Sequence, residues 1–295
     1  LFFTNVNKPN KDMFRILKRR GGEPMKHDKG GQETYAWNSE DYAAHSGAQY
    51  QWAREMIAKL HLKGSESVLD IGCGTGKVTA LIGAHLPSGN VTGIDSSADM
   101  VAFARKQYPS SGYPNLSFTR MDATNITFSG EFDLAFSNAA LHWVPDQVSV
   151  LRGVRAALKK PGRIFFQMGG KGNARDILTL LEELVTMDPW RPWFRGFSFP
   201  YVFASPDEYK GWLETAGLVP RRLELIPKDM AQEGRNGLAG WIRTTWMPIT
   251  GRIPEDRRDR FISEIVKMYI KRHPPDINGL IHVPMVRLEV EAEKL

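Results

Sequence analysis

Apolar and polar positions change rhythm along the chain. Short apolar runs recur at residues 68–71, 91–95, 116–121, 132–137 and 163–168. Segments with helical spacing separate several of them, at 77–86, 98–108 and 147–158. Strand and helix in alternation predict a parallel sheet with helices on its faces. Ser96-Ser97 caps the second of these helices, and Pro145 opens the third at a favoured first-turn position. Upstream, residues 35–60 read as one amphipathic helix with Asn38 or Ser39 as its N-cap. Tyr42, His45 and Gln49 share one face of it, facing either the core or a ligand.

The alternation stops after residue 168. A helix at 174–187 is followed by the aromatic and basic stretch Pro189-Trp190-Arg191-Pro192-Trp193-Phe194-Arg195. Ser205-Pro206-Asp207-Glu208 starts another helix, ending at Gly217, and 218–226 reads as a sixth strand. Helical segments holding Trp241, Arg243 and Trp246 follow, then a last strand at 281–290. The segments 170–204 and 230–275 are expected to be inserted lids over a substrate.

The stretch Val68-Leu69-Asp70-Ile71-Gly72-Cys73-Gly74-Thr75-Gly76 organises the rest. A buried strand breaks into a Gly-x-Gly-x-Gly turn and a helix begins. Glycines 72, 74 and 76 permit a tight turn and let a ligand approach the main chain. The helix start presents unpaired N–H groups to that ligand. This places a nucleotide-type ligand at the carboxyl edge of a parallel sheet. Dinucleotide turns are one residue longer, and the Asp70 carboxylate would repel a diphosphate. A cationic ligand, or one bearing an amino acid, would be accepted. Asp95 ends the next strand, where an acid meets ribose hydroxyls.

Composition narrows the class modestly. A chain of 295 residues with 42% hydrophobic content suits one large α/β domain with insertions. The net charge of +6 is concentrated early: Lys8, Lys11, Arg15, Lys18, Arg19, Arg20, Lys26 and Lys29 face only Asp12, Glu23 and Asp28. Residues 1–33 therefore read as a mobile basic leader before a domain at 34–295, with Met25 a candidate natural start. The near-balanced remainder argues against a nucleic-acid face. One cysteine excludes an internal disulfide and points to a reducing, cytoplasmic setting. No apolar run approaches a membrane span.

The two strand ends, Asp70-x-Gly72-x-Gly74-x-Gly76 and Asp95, resemble class I S-adenosylmethionine-dependent methyltransferases. The resemblance implies a Rossmann-like seven-stranded sheet with helical lids, and S-adenosylmethionine converted to S-adenosylhomocysteine. It implies that Asp70 holds the glycine turn and the cofactor's amino group. Asp95 with Ser96 would bind the ribose, and Asp122 with the small Ala123 the adenine. Asn138, His142 and Trp143 would border the methyl, the last two as candidate catalytic residues.

The acceptor is argued from chemistry. No acidic cluster for a metal stands out, residues 137–140 do not match the amide-methylating turn, and Cys73 is committed to the cofactor turn. A carboxylate is ionised at neutral pH and needs no base, only donors to orient it. Arg191, Arg195 and Arg243, interleaved with Trp193 and Trp246, are the candidates, with Tyr42 and Gln49 across from them. Trp37-Asn38…Tyr42, residues 93–97, residues 137–146 and Asn278-Gly279-Leu280-Ile281 resemble the trans-aconitate methyltransferase group, and the Leu-His-Trp stretch resembles juvenile-hormone-acid methyltransferases. The resemblance implies esterification of a small organic, fatty or isoprenoid acid, by a monomer or homodimer. The alternatives are C- or N-methylation with His142 as base, and a cofactor-binding module without turnover.

Overall fold

Val68, Leu69 and Ile71 are wholly buried, because the strand that carries them has neighbours on both edges and helices on both faces. The computed structural model describes residues 47–295. The leader, Trp37, Asn38, Tyr42 and His45 lie outside the described residues, as does the side chain of Gln49. Helix α1 (Gly47–Lys59) leads into β1 (Ser67–Ile71), α2 (Lys77–Gly83), β2 (Asn90–Asp95), α3 (Ala98–Gln107), β3 (Leu116–Arg120), β4 (Phe132–Asn138), α4 (Gln147–Ala157) and β5 (Leu158–Gly169). Then come α5 (Arg175–Leu184), α6 (Pro206–Thr215), β6 (Val219–Glu233), α7 (Gly234–Thr245), α8 (Met247–Thr250), α9 (Glu255–Arg272) and β7 (Leu280–Lys294).

The seven strands form one sheet in the order β3-β2-β1-β4-β5-β7-β6. Neighbours from β3 to β5 run parallel, and β7 inserts antiparallel between β5 and β6. Alternation along the strands divides the core. Val68 and Phe136 face a cluster with Met56, Leu60 and Ile82, from α1 and α2. Leu69 and Ile71 face α4 and α6 through Val150, Val154 and Leu213. No helix among the described residues is long and apolar enough to cross a membrane.

The helical insertions have a hydrophobic core of their own. Trp190, Trp241, Trp246, Phe261 and Ile265 bury against one another and against Met230, Ile281 and Val283 at the far end of β6 and β7. The Trp190 indole N–H donates to Glu264 at 2.6 Å. Strand β6 runs seven residues past the expected end at 226, because β7 pairs with it out to Glu233, opposite Leu280. Residues 230–233 thus belong to the sheet, and the second helical excursion starts at Gly234. Strand β5 is also longer than expected: Leu158 already pairs with Phe132.

Behind the sheet, Glu289 is buried on β7 and accepts from Lys59 at 2.8 Å, Arg222 at 2.8 Å and Gln167 at 3.0 Å. Burial works against its ionisation, but these donors together hold its carboxyl below the usual range. Removing the carboxylate strands the buried Gln167 amide and deprives Lys59 and Arg222 of a shared acceptor. Glu289→Ala should therefore cost about 3 kcal/mol of folding stability in denaturant titration. Loss of the exposed Arg221–Glu293 pair by Arg221→Ala should cost under about 1 kcal/mol.

Candidate functional site

The sheet reverses its strand order between β1 and β4, so the loops leaving these two strands open a crevice at their carboxyl ends. Gly72, Gly74 and Gly76 all have left-handed φ, at 73°, 52° and 79°. Their surroundings differ. A side chain on Gly72 would collide with Ala140 after β4. One on Gly76 would meet the Phe118 ring at 2.9 Å. At Gly74 nothing lies within 4 Å of where a Cβ would stand. Two glycines therefore serve packing, and the middle one borders open space in the crevice. Across the crevice Ala139 holds φ of 58°, a conformation that costs a side-chain-bearing residue about 1–2 kcal/mol.

The carboxyl ends of three strands place acids around this turn. Asp70 is 2% exposed and accepts a 2.6 Å hydrogen bond from the Thr79 hydroxyl of α2. Burial pushes its carboxyl up to about 7, the Thr79 bond opposes this, and the neighbouring Asp95 adds to it. Asp95 accepts from the Gly74 N–H at 3.0 Å and the Ser97 N–H at 2.9 Å. One side chain thereby ties the glycine turn to the start of α3; burial raises its carboxyl against those two donors. Asp122 accepts on Oδ1 from the Thr124 N–H and hydroxyl, both at 2.8 Å. The Cys73 thiol is buried and held protonated by desolvation, reinforced by Asp70 and Asp95.

A cavity of about 960 Å³ runs from these acids toward the helical insertions. Gly72, Gly74, Asp95, Ser96, Asp122, Ala123 and Asn138 line it, and so do His142, Trp143 and Trp246. A smaller recess of about 60 Å³ joins Asp70, Gly72, Gly74, Lys77 and Asn138. His142 is buried, and its Nδ1 faces the Gly169 N–H at 3.5 Å, which favours the tautomer with hydrogen on Nε2. Its backbone carbonyl accepts from the Val202 N–H at 2.8 Å, pinning an aromatic wall against it. Tyr201 and Phe203 stack at 5.6 Å, Trp143 meets Tyr201 edge-on at 4.8 Å, and Trp246 meets it at 5.3 Å. Desolvation, and then the charge of Arg287, hold His142 well below its ordinary pKa.

Arg287 is the cation that sequence reading missed. It is 3% exposed on β7, lines the cavity, and lies over the Trp52 ring at 5.2 Å. Parity along β7 carried the clue. Ile281, Val283, Met285, Arg287 and Glu289 alternate onto one face, and all are buried. The expected lid arginines lie elsewhere. Arg191 is exposed and pairs with Asp188 at 3.1 Å. Arg195 is exposed, and Arg243 takes the outer face of α7 while Trp241 takes the inner one. Trp193 packs on Trp190 at 5.8 Å with Arg257 above it. None of these four is in the cavity wall, because the hydrophobic core of the insertions claims the aromatics and turns these arginines outward. Arg252 lines the cavity from the loop after α8, donating to the Trp193 carbonyl at 3.2 Å. Among the described residues no group of three His, Cys, Asp or Glu side chains is disposed to hold a metal.

Comparison with known proteins agrees with this architecture. A family model described as a methyltransferase domain matches residues 62–216. Trans-aconitate 2-methyltransferase of Methylobacterium nodulans is 26% identical over 88% of this chain and 98% of its own. The enzyme of that name from Streptomyces coelicolor is 28% identical over 82% of each. Among solved structures, phosphoethanolamine N-methyltransferase 2 of Haemonchus contortus with S-adenosylhomocysteine superposes with a TM-score of 0.56 at 16% identity, over 87% of this chain and 57% of that one. YcgJ of Bacillus subtilis gives a TM-score of 0.55 at 19% identity, over 83% and 98%.

The glycines and Asp70 generate two tests. Gly76→Ala must displace Phe118 and take up a strained φ, so it should lose about 2 kcal/mol or more in thermal or denaturant unfolding. Gly74→Ala bears only the φ strain of about 1 kcal/mol. Equal losses would contradict the division of roles. For Asp70 the folded pKa, about 7, exceeds the ordinary 3.8. Stability from this group is full below the unfolded pKa and is lost as pH rises to 7, by up to about 4 kcal/mol. The stability of Asp70→Asn relative to the native protein should therefore rise between pH 4.5 and pH 8, read by urea unfolding at each pH. A pH-independent difference would show that Asp70 titrates normally.

Proposed function

The chain belongs to the methyltransferase-domain family, and we propose that it transfers the methyl group to the carboxylate of a small organic acid. It is an S-adenosylmethionine-dependent methyltransferase with a Rossmann-like sheet. The residues present fit that cofactor. The open space at Gly74 admits it against the main chain, and the recess at Asp70 suits a cationic amino group. Asp95 and Ser96 are assigned to the ribose, Asp122 and Ala123 to the adenine, and Asn138 to the methionine portion, which its place on both cavities supports. When bound, the cofactor supplies an electrophilic methyl on a sulfonium.

The observation that carries the carboxylate reading is Arg287, a buried cation in the cavity wall beside an imidazole held neutral. A carboxylate arrives ionised and gives up no proton on becoming an ester. An amine or carbon acceptor needs a base, and His142 is a weak one here, because its protonated form would be both desolvated and repelled by Arg287. Arg287 is assigned to orient the acid through charge-assisted hydrogen bonds. His142 is assigned a donor role through Nε2–H, and Trp143 a wall against the transfer point that excludes water. Likeness to the trans-aconitate enzymes supports an acid acceptor. The wall of Trp143, Tyr201, Phe203 and Trp246 supports one with an apolar body. The helical insertions serve as the lid.

Two measurements test this. Labelled cofactor offered with a panel of free carboxylic acids should yield a volatile, base-labile product; a base-stable product would overturn the ester. Arg287→Gln should lower kcat/KM for the acid by about 100-fold, in line with loss of a charged hydrogen bond. His142→Asn should lower it by less than about tenfold, since general-base catalysis would be worth 10²–10⁴-fold. The reverse ranking would restore His142 as base.

A further inference from the structure

The cofactor's methionine end carries two opposite charges, an ammonium and a carboxylate. Asp70 is suited to the first only. The recess that contains Asp70 is also lined by a cation, Lys77, the first residue of α2, and by Tyr50. Lys77 is exposed, and its ammonium lies 4.2 Å from the centre of the Tyr50 ring on α1. Among the described residues that ring is the partner found for it, and no carboxylate pairs with it. The recess also includes Gly74, Thr75 and Asn138. An acid and a cation lining one space of about 60 Å³ suit the two charges of an α-amino-acid head.

We propose that Lys77 binds the cofactor's carboxylate and that Tyr50 is the positioning residue that holds Lys77 over the recess. Lys77 follows the glycine turn directly, so its backbone is fixed by the geometry that admits the ligand. Its side chain would otherwise sample many rotamers, and immobilising it for a ligand costs entropy. The Tyr50 face offsets part of that cost before the ligand arrives, since a cation over an aromatic face is attracted at exposed sites too. Tyr50 belongs to the helix that also brings Trp52 to the main cavity beneath Arg287. One helix thereby borders both the cofactor's amino-acid end and the acceptor end.

The inference rests on the cofactor and is independent of which atom accepts the methyl. The test is calorimetric binding to the full chain, with S-adenosylmethionine and its decarboxylated form as probes. Lys77→Met keeps the stem on Tyr50 and removes the charge. It should weaken S-adenosylmethionine by about tenfold and leave the decarboxylated probe unchanged. Lys77→Arg should restore the preference for the carboxylate. Tyr50→Phe should behave as the native chain, whereas Tyr50→Leu should lose about threefold of the discrimination. Equal weakening of both probes by Lys77→Met, or weakening of neither, would overturn the assignment. Tyr50→Leu discriminating as well as native would overturn the positioning role.

Discussion

Gly72 lies against Ala140 so closely that no side chain fits between them. That contact joins the turn after β1 to the turn after β4 across the reversal point of the sheet. Much of the site's shape follows from it. The β1 turn must take left-handed dihedrals at three positions to stay there. Asp95, at the end of the adjacent strand, then reaches the Gly74 N–H. Ala139 accepts backbone strain so that Asn138 and His142 flank the same crevice. Strain of this kind persists where the surrounding packing over-determines it. Here β1 and β4 are buried central strands and supply that packing.

Local sequence carried the first half of the molecule well. The strand, glycine turn and helix at 67–83 announce themselves through neighbours in sequence, and the acids at strand ends follow from the same rhythm. Sequence alone could not divide the three glycines into two that pack and one that opens, because Phe118 and Ala140 come from distant segments. The second half resisted for the same reason, at longer range. Tryptophans beside arginines looked like a substrate lid, yet Trp190 and Trp241 are anchors of a second hydrophobic core. Such a cluster draws on α1, α5, α7, α8 and α9 and on the ends of β6 and β7, so its members are spread from Trp52 to Met285. Arg287 was legible in principle from its parity on β7. The period of two places it among apolar inward positions, where a charge is the informative residue.

The electrostatics of the cavity divide along its length. Acids gather at the carboxyl ends of β1, β2 and β3, and among them Asp70 is pushed up to about 7 and Asp95 in the same direction. Their neighbourhood favours cationic ligand groups, whose arrival would draw those carboxyls back to the ionised form. At the other end burial, and then the charge of Arg287, depress His142, so that part of the cavity favours an anion and disfavours a second cation. The aromatic faces of Trp143, Tyr201, Phe203 and Trp246 line the same cavity and lower its polarity, which strengthens both fields. Under the proposed reading, a site so polarised would orient a cationic donor and an anionic acceptor before any contact specific to either is made.

That polarity also bears on release. Arg287 would face an anion before transfer and a neutral ester after it, so its hold on the acceptor weakens as the reaction completes. The aromatic wall changes nothing in its interaction with the acceptor's body, since dispersion and burial are the same for acid and ester. Under the proposed carboxylate reading, specificity for the acid over its product would reside in Arg287, and affinity for the body in the rings. An acceptor with a larger apolar body would bind better and also leave more slowly. Tyr201 donates to the Thr245 carbonyl at 3.2 Å, so a movement of the wall that released such a product would carry α7 with it. Opening the helical insertions, and not methyl transfer, would then set the turnover of the most apolar acids.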